Sequence, residues 1–305
     1  MRFDWTSELR LAAIHYLRLS AFICGFIALF GCKPTATSLP NAYYGKTEPL
    51  HVIVEKINAN NSKIQTLWAR GDFDAEVIDD RGKRFTLVGD SVLQYRPTRE
   101  LLMVGTKPAI GRVFTAGSNN DRYWLIVRDN DKGGTMWWGE YAAVGGPDLK
   151  AMPVRPDLLL QVLGITIANP DLLQEPAPVM RFNNDADAYM IVWSVKAADR
   201  WVAQKEVWYD RQTLFPRLVV LFDGNGRIVL RAYLSDPKPI GTEPDAPKIA
   251  TRYGLFFPET KTKLNLTLTD VKFENKGFPR DATFAFPNDD QLPAKVINID
   301  APPAK

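Results

Sequence analysis

Leu50, Ile53, Val54 and Ile57 recur at the spacing of one helix face, with Thr47 and Pro49 at cap and first-turn positions, and the pattern stops near Asn60 and Asn61. This predicts a short amphipathic helix. Ile64, Leu67 and Trp68 lead into a different period, in which Ala69, Gly71, Phe73, Ala75 and Val77 alternate with Arg70, Asp72, Asp74 and Glu76. A repeat of two belongs to a strand with one wet face, so Phe73, Ala75 and Val77 are predicted to point into whatever the sheet encloses. Asp79-Asp80-Arg81-Gly82 reads as the turn that follows. Strand-like runs then recur at Phe85–Arg96, Leu101–Gly105, Tyr123–Arg128, Met136–Tyr141, Ala188–Val195, Val202–Asp210, Arg217–Asp223, Arg227–Leu234 and Leu264–Phe273. The one good interior helix candidate runs from Pro156 to Leu163, with proline in its first turn and Gly164 at its end.

Strands in near-sequential order with hardly a helix between them predict an antiparallel meander, because a parallel sheet needs a crossover after each strand. Tyr189 to Trp193 and Leu218 to Phe222 are apolar on both faces. One face of such a strand packs on a helix and the other needs a second layer, which a strongly curved sheet wrapped around helices supplies. The chain is therefore expected to be mainly β with a few helices. No repeat and no long linker divides it, so one body is expected over residues 50–290, with 291–305 as a C-terminal tail.

Composition narrows the function classes. Apolar residues make up 46% and charged residues 24% of the 305-residue chain, the balance of an ordinary globular protein. Two cysteines and two histidines are too few for a disulfide framework or a structural zinc site. The net charge of +3 is spread along the chain, which argues against a nucleic-acid partner.

The N-terminus carries an address. Leu19 to Gly31 contains no charged residue, follows Arg2, Arg10 and Arg18, and is too short to span a bilayer comfortably, so residues 1–31 read as a signal peptide. Leu29, Phe30, Gly31 and Cys32 resemble a bacterial lipobox. The resemblance implies that the leader is removed before Cys32 and that its thiol is acylated, with palmitate-type chains anchoring the protein to membrane lipids. An ordinary cleavable signal and an uncleaved anchor remain alternatives. Residues 32–49, with Pro34, Pro40 and Pro49, read as lipidated cysteine and tether. Lys33 does not resemble the aspartate that retains some lipoproteins in the inner membrane, which leans towards a periplasm-facing position at the outer membrane.

Lipidated cysteine, tether, opening helix, long meander and mid-chain helix together resemble the LolA/LolB superfamily of lipoprotein carriers and receptors. Residues 50–77, LHVIVEKINANNSKIQTLWARGDFDAEV, look like that family's opening helix and first strand. Residues 209–234 look like its late hairpin, and 264–287, ending in FAFP, like its closing strand. The resemblance implies an unclosed β-barrel covered by short helices and enclosing an apolar cavity for acyl chains. It implies lipid or lipoprotein transfer without chemistry. The family's lid-holding arginine and exposed leucine loop have no residue-for-residue counterpart.

Candidate chemistry is sparse. His51 would be the only histidine of the mature chain, sits in the opening helix, and has no G-x-S-x-G partner motif. Asp223-Gly224-Asn225-Gly226 lacks the rest of a calcium loop and reads as a turn. Asp72 with Asp74 and Asp289 with Asp290 read as solvating carboxylates rather than a glycosidase pair. Trp124, Trp137, Trp138, Trp193, Trp201 and Trp208 are expected in the core, with cavity lining as the alternative. No catalytic residue, metal site or cofactor is expected. Two readings stand beside an enzyme acting through carboxylates. One is a lipid-binding carrier or receptor taking an acyl chain or lipoprotein, and the other is an envelope scaffold with a filled interior. A continuous apolar cavity opening to solvent would separate them.

Overall fold

A computed structural model of the chain describes residues 43–78, 82–128, 133–143 and 152–301. The signal peptide, Cys24, Cys32, the first part of the tether and turn residues Asp79, Asp80 and Arg81 lie outside the described residues.

Helix α1 spans Leu50–Asn61 and buries Ile53, Val54 and Ile57, the residues whose spacing predicts it. Pro49 precedes its first residue and accepts the Ile53 amide, and the Ser62 amide closes the last turn on Asn58. Helix α2 spans Pro156–Val162, with Pro156 in the first turn. Gly164, at φ +77°, turns the chain away just beyond it, and its bare Cα sits where a side chain would strike Pro216 and Leu234.

The strands are β1 (Leu67–Ile78), β2 (Arg84–Arg96), β3 (Glu100–Lys107), β4 (Gly111–Ser118), β5 (Arg122–Val127), β6 (Thr135–Glu140) and β7 (Ala177–Asn183). They continue as β8 (Ala188–Ala197), β9 (Arg200–Asp210), β10 (Pro216–Phe222), β11 (Ile228–Pro239), β12 (Lys248–Phe257), β13 (Thr262–Lys272) and β14 (Lys295–Asn298). All fourteen join one sheet in the order β14-β6-β5-β4-β3-β2-β1-β13-β12-β11-β10-β9-β8-β7. The sheet does not close, because β14 and β7 remain as edges. Every neighbouring pair is antiparallel except β14 with β6. Two meanders, β1 to β6 and β7 to β13, thus share one seam, where β1 pairs with β13 from Trp68 opposite Lys272 to Glu76 opposite Lys263.

The predicted meander and open sheet are present, and four strands join those the pattern shows. β4, β7, β12 and β14 were not among the predicted runs. The last of these extends the body past residue 290. Val296 and Ile297 pair with Met136 and Trp137, and Ile299 is fully buried, so the C-terminal boundary lies beyond the one drawn from sequence. The N-terminal boundary shifts too. Tyr43 donates its amide to the Asn184 carbonyl and packs edge-on against Phe182, while Arg211 stacks 3.7 Å over its ring. The Glu48 amide donates to the Tyr189 hydroxyl at 2.9 Å. Residues 43–49, assigned to a tether, therefore dock along β7 and β8.

A packing device recurs in the first meander. Phe73 faces Gly89 across β1 and β2, Phe114 faces Gly105 across β3 and β4, and Trp124 faces Gly117 across β4 and β5. A Cβ at Gly105 would lie 2.1 Å from the Phe114 ring, and one at Gly117 would lie 2.2 Å from the Trp124 ring. Each ring occupies the space its partner leaves empty, Phe73 and Phe114 on the inner face and Trp124 on the opposite one, where it packs with Ile126 and Met136. Phe73 and Phe114 also meet edge to face at 4.9 Å.

Candidate functional site

The inner face of the sheet is where the sequence places its candidate residues. Phe73 and Ala75 are buried there and Val77 is partly buried, while Asp72 and Asp74 on the same strand are exposed. The two-residue alternation thus puts apolar and charged side chains on opposite faces of one strand, as the pattern predicts. Around them the inner residues of both meanders form one continuous apolar surface. It runs from Leu93, Met103 and Leu125 on one side to Leu255, Leu230 and Ile191 on the other.

Helices α1 and α2 lie in this same apolar cluster through Ile53, Ile57, Leu158 and Val162. These contacts are non-directional, and burying each such side chain contributes roughly 1.5–3 kcal/mol. The specific polar bonds of α1 go instead to the segment after α2. Asn58 exchanges two hydrogen bonds of 2.8 Å with the backbone of Ala168, and Asn61 donates to the carbonyls of Gly164 and Thr166. Asn61 is itself buried, so its amide needs these acceptors. Helix α1 and the chain leaving α2 are in this way tied to each other more specifically than to the sheet beneath. Directional ties to the sheet lie at the margins, at Asn60 with Lys248 and at Tyr253 with Leu163.

At the start of α2, Arg155 grips Asp157 with two hydrogen bonds of 3.2 and 2.6 Å. Asp157 is buried, and its charge and hydrogen bonds hold the Arg155 pKa above its usual value against the desolvation that opposes it. Nearby, the Tyr123 hydroxyl has no hydrogen-bond partner, and burial raises its pKa.

The second meander carries a different kind of residue on its inner face. Lys205 on β9 stands opposite Trp193 on β8 and Leu221 on β10. It shares the face of Val207 and Tyr209, which belong to the core cluster. Its ammonium lies 4.8 Å from the centre of the Trp193 ring. Desolvation pulls its pKa down to about 8, although part of the residue still reaches solvent.

Two clefts open elsewhere on the surface, and both are polar. One, of about 480 Å³, lies between the docked N-terminal segment and the sheet and is lined by Lys46, Glu48, Lys56, Tyr189 and Arg211 among others. The other, of about 290 Å³, is bordered by Tyr44, Arg181 and Asp185.

The remaining candidates fall into place singly. His51 is exposed on α1. Asp223 accepts the Asn225 and Arg227 amides and the Arg227 side chain, which makes the Asp223 to Gly226 segment a closed turn. Asp289 and Asp290 are exposed in a short turn of 3-10 helix. Trp124 and Trp193 are buried, and Trp137, Trp138 and Trp208 are partly so. Trp201 departs from the expected core role, being 60% exposed at the end of the β8–β9 hairpin. Among the described residues no three His, Cys, Asp or Glu side chains converge as a metal site. None of their helices is long and apolar enough to cross a membrane.

The sequence matches no family model, and no curated protein is similar to it at a significant level. Solved structures are similar to it over 77% of the chain. An outer membrane lipoprotein-sorting domain, so named, from Vibrio parahaemolyticus is 12% identical, with 77% of this chain and 95% of that one covered and a TM-score of 0.45. A DUF1329 family protein from Desulfovibrio piger is 12% identical over 77% and 97% of the two chains, at a TM-score of 0.46. A LolA superfamily protein from Nitrosomonas europaea is 14% identical over 77% and 96%, at 0.44.

Proposed function

We propose that the protein is a membrane-anchored lipoprotein that takes an acyl chain, of a lipid or of another lipoprotein, onto the inner face of its open sheet. The observation that carries this reading is the continuous apolar inner face, covered by two short helices that meet it chiefly through aliphatic side chains. A cover held by non-directional contacts can part from the sheet, and a hydrocarbon chain replaces those contacts in kind, at about 0.8 kcal/mol for each buried methylene. Phe73, Ala75 and Val77 form part of the floor on which the chain lies. The protein then acts in lipid or lipoprotein transfer in the bacterial envelope, without catalysis and without a cofactor. Acylated Cys32 holds it to the periplasmic side of the membrane, the outer membrane in this reading.

The test uses the full chain kept in solution by an amphipathic polymer and titrated with parinaric acid methyl ester, a fluorescent acyl chain without charge. Saturable binding is expected, with Ala75→Trp lowering the affinity by at least tenfold. A wild-type protein that binds neither this ester nor the corresponding free acid would overturn the reading in favour of an envelope scaffold.

A further inference from the structure

A lysine on the inner face of an apolar sheet is out of place unless something pairs with it. The register leaves no doubt about the face. Lys205 stands opposite Trp193 and Leu221, while Val207, one step along the same face, stands opposite Ile191 and Val219. All four of these facing residues belong to the apolar core cluster.

The ammonium has the Trp193 ring as its one specific contact and forms no ion pair with any described residue. Carboxylates are close in sequence but engaged elsewhere. Glu206 points to the opposite face and accepts the Trp208 indole N–H, and Glu175 accepts the Lys196 amide. Tyr189 and Tyr209 bring phenols to this face and Arg200 lies on it at the exposed hairpin end, opposite Ala197, while Leu221 on β10 and Leu230 on β11 continue the Lys205 row as apolar residues. An unpaired charge in such a place is costly, and stacking on an aromatic ring offsets only part of the cost.

We infer that Lys205 is a binding residue for the anionic end of the ligand, and that the ligand is a long-chain carboxylate such as a free fatty acid. A single ammonium matches a carboxylate in charge. A phosphate monoester would leave excess negative charge in apolar surroundings, and the amide- and ester-linked chains of a lipoprotein bring no charge at all. The inference rests on the acyl-chain reading above and adds selectivity to it: the apolar face binds hydrocarbon, and Lys205 selects which hydrocarbon. Because desolvation lowers the lysine pKa to about 8, the ammonium is largely charged at pH 7 and is lost within the next two pH units.

The experiment compares parinaric acid with its methyl ester on the same full chain, for the wild type, Lys205→Met and Lys205→Arg. The wild type is expected to bind the acid at least tenfold tighter than the ester at pH 7, with that preference fading by pH 9.5. Lys205→Met keeps the ester affinity and loses the preference at every pH, while Lys205→Arg keeps the preference beyond pH 9.5. Unchanged ester binding and a thermal unfolding midpoint no lower than that of the wild type show that the fold and the apolar face of Lys205→Met are intact. An acid bound no better than the ester by the wild type, or a preference that survives in Lys205→Met, overturns the role of Lys205 and leaves the acyl-chain reading standing. Failure of both probes to bind the wild type overturns both.

Discussion

The two meanders that share the β1–β13 seam are built differently. In the first, aromatic rings sit over glycines from strand to strand, and Tyr123 opposite Gly139 repeats on β5 and β6 what Phe73, Phe114 and Trp124 do on their strands. In the second, the one glycine within a strand is Gly254, and the Tyr233 opposite it turns outward with 57% of its surface exposed. Rings locked into hollows have one place to be, so the first meander is expected to be the stiffer half. The second presents Trp193 and a charged Lys205 instead, a combination that no close-packed core would select for stability. The difference teaches where to look for change: a ligand that displaces the helical cover meets a fixed wall on one side and a responsive one on the other.

Phe73→Ala is the largest perturbation of this contrast. It empties the hollow over Gly89 and removes the edge contact to Phe114, and is expected to cost about 3–5 kcal/mol in urea unfolding. A loss below about 1 kcal/mol would deny that the first meander is the stiff half. Lys205→Met acts in the other direction. Lys205 titrates near 10.5 when unfolded and near 8 when folded, so between those values the unfolded chain holds more protons and stability rises with pH. The methionine variant should be more stable by about 1–2 kcal/mol at pH 7, allowing for partial exposure, and should lose that rise between pH 8 and 10.5. Trp201→Ser is the smallest. Its ring is exposed at a hairpin end, and thermal melts of the variant should match the wild type to within about 0.5 kcal/mol.

Much of the sheet could be read from alternation, and the strands that could not share a physical cause. In β4 every residue from Val113 to Ser118 is buried, so no wet face marks the strand. In β12 Ile249, Ala250 and Thr251 are buried in succession for the same reason. β7 carries Pro178 and follows Pro176, which read as loop in a sequence but are tolerated on an edge strand. β14 has only four residues and pairs with a strand distant in sequence. The Phe73 and Ala75 face was legible because Asp72 and Asp74 interrupt it so regularly. Lys205 was not, although Val207 and Tyr209 share its parity. The irregularity in pairing between Trp193 and Ser194 shifts the phase of β9, so that Val202 and Lys205 cannot both be assigned a face by counting.

The seam between β1 and β13 also sets an order of events. β1 meets β2 within a few residues but waits for β13 across roughly two hundred, and such distant pairings form late because the intervening chain must first be brought together. A chain delivered N-terminus first therefore completes its stiff meander with the far side of β1, twelve residues long, still bare. Until the last long strand arrives, that side offers a row of unpaired amides and carbonyls to any other chain in the same condition. A product cut short before Thr262 never covers it, so premature termination should yield aggregates rather than a smaller soluble sheet.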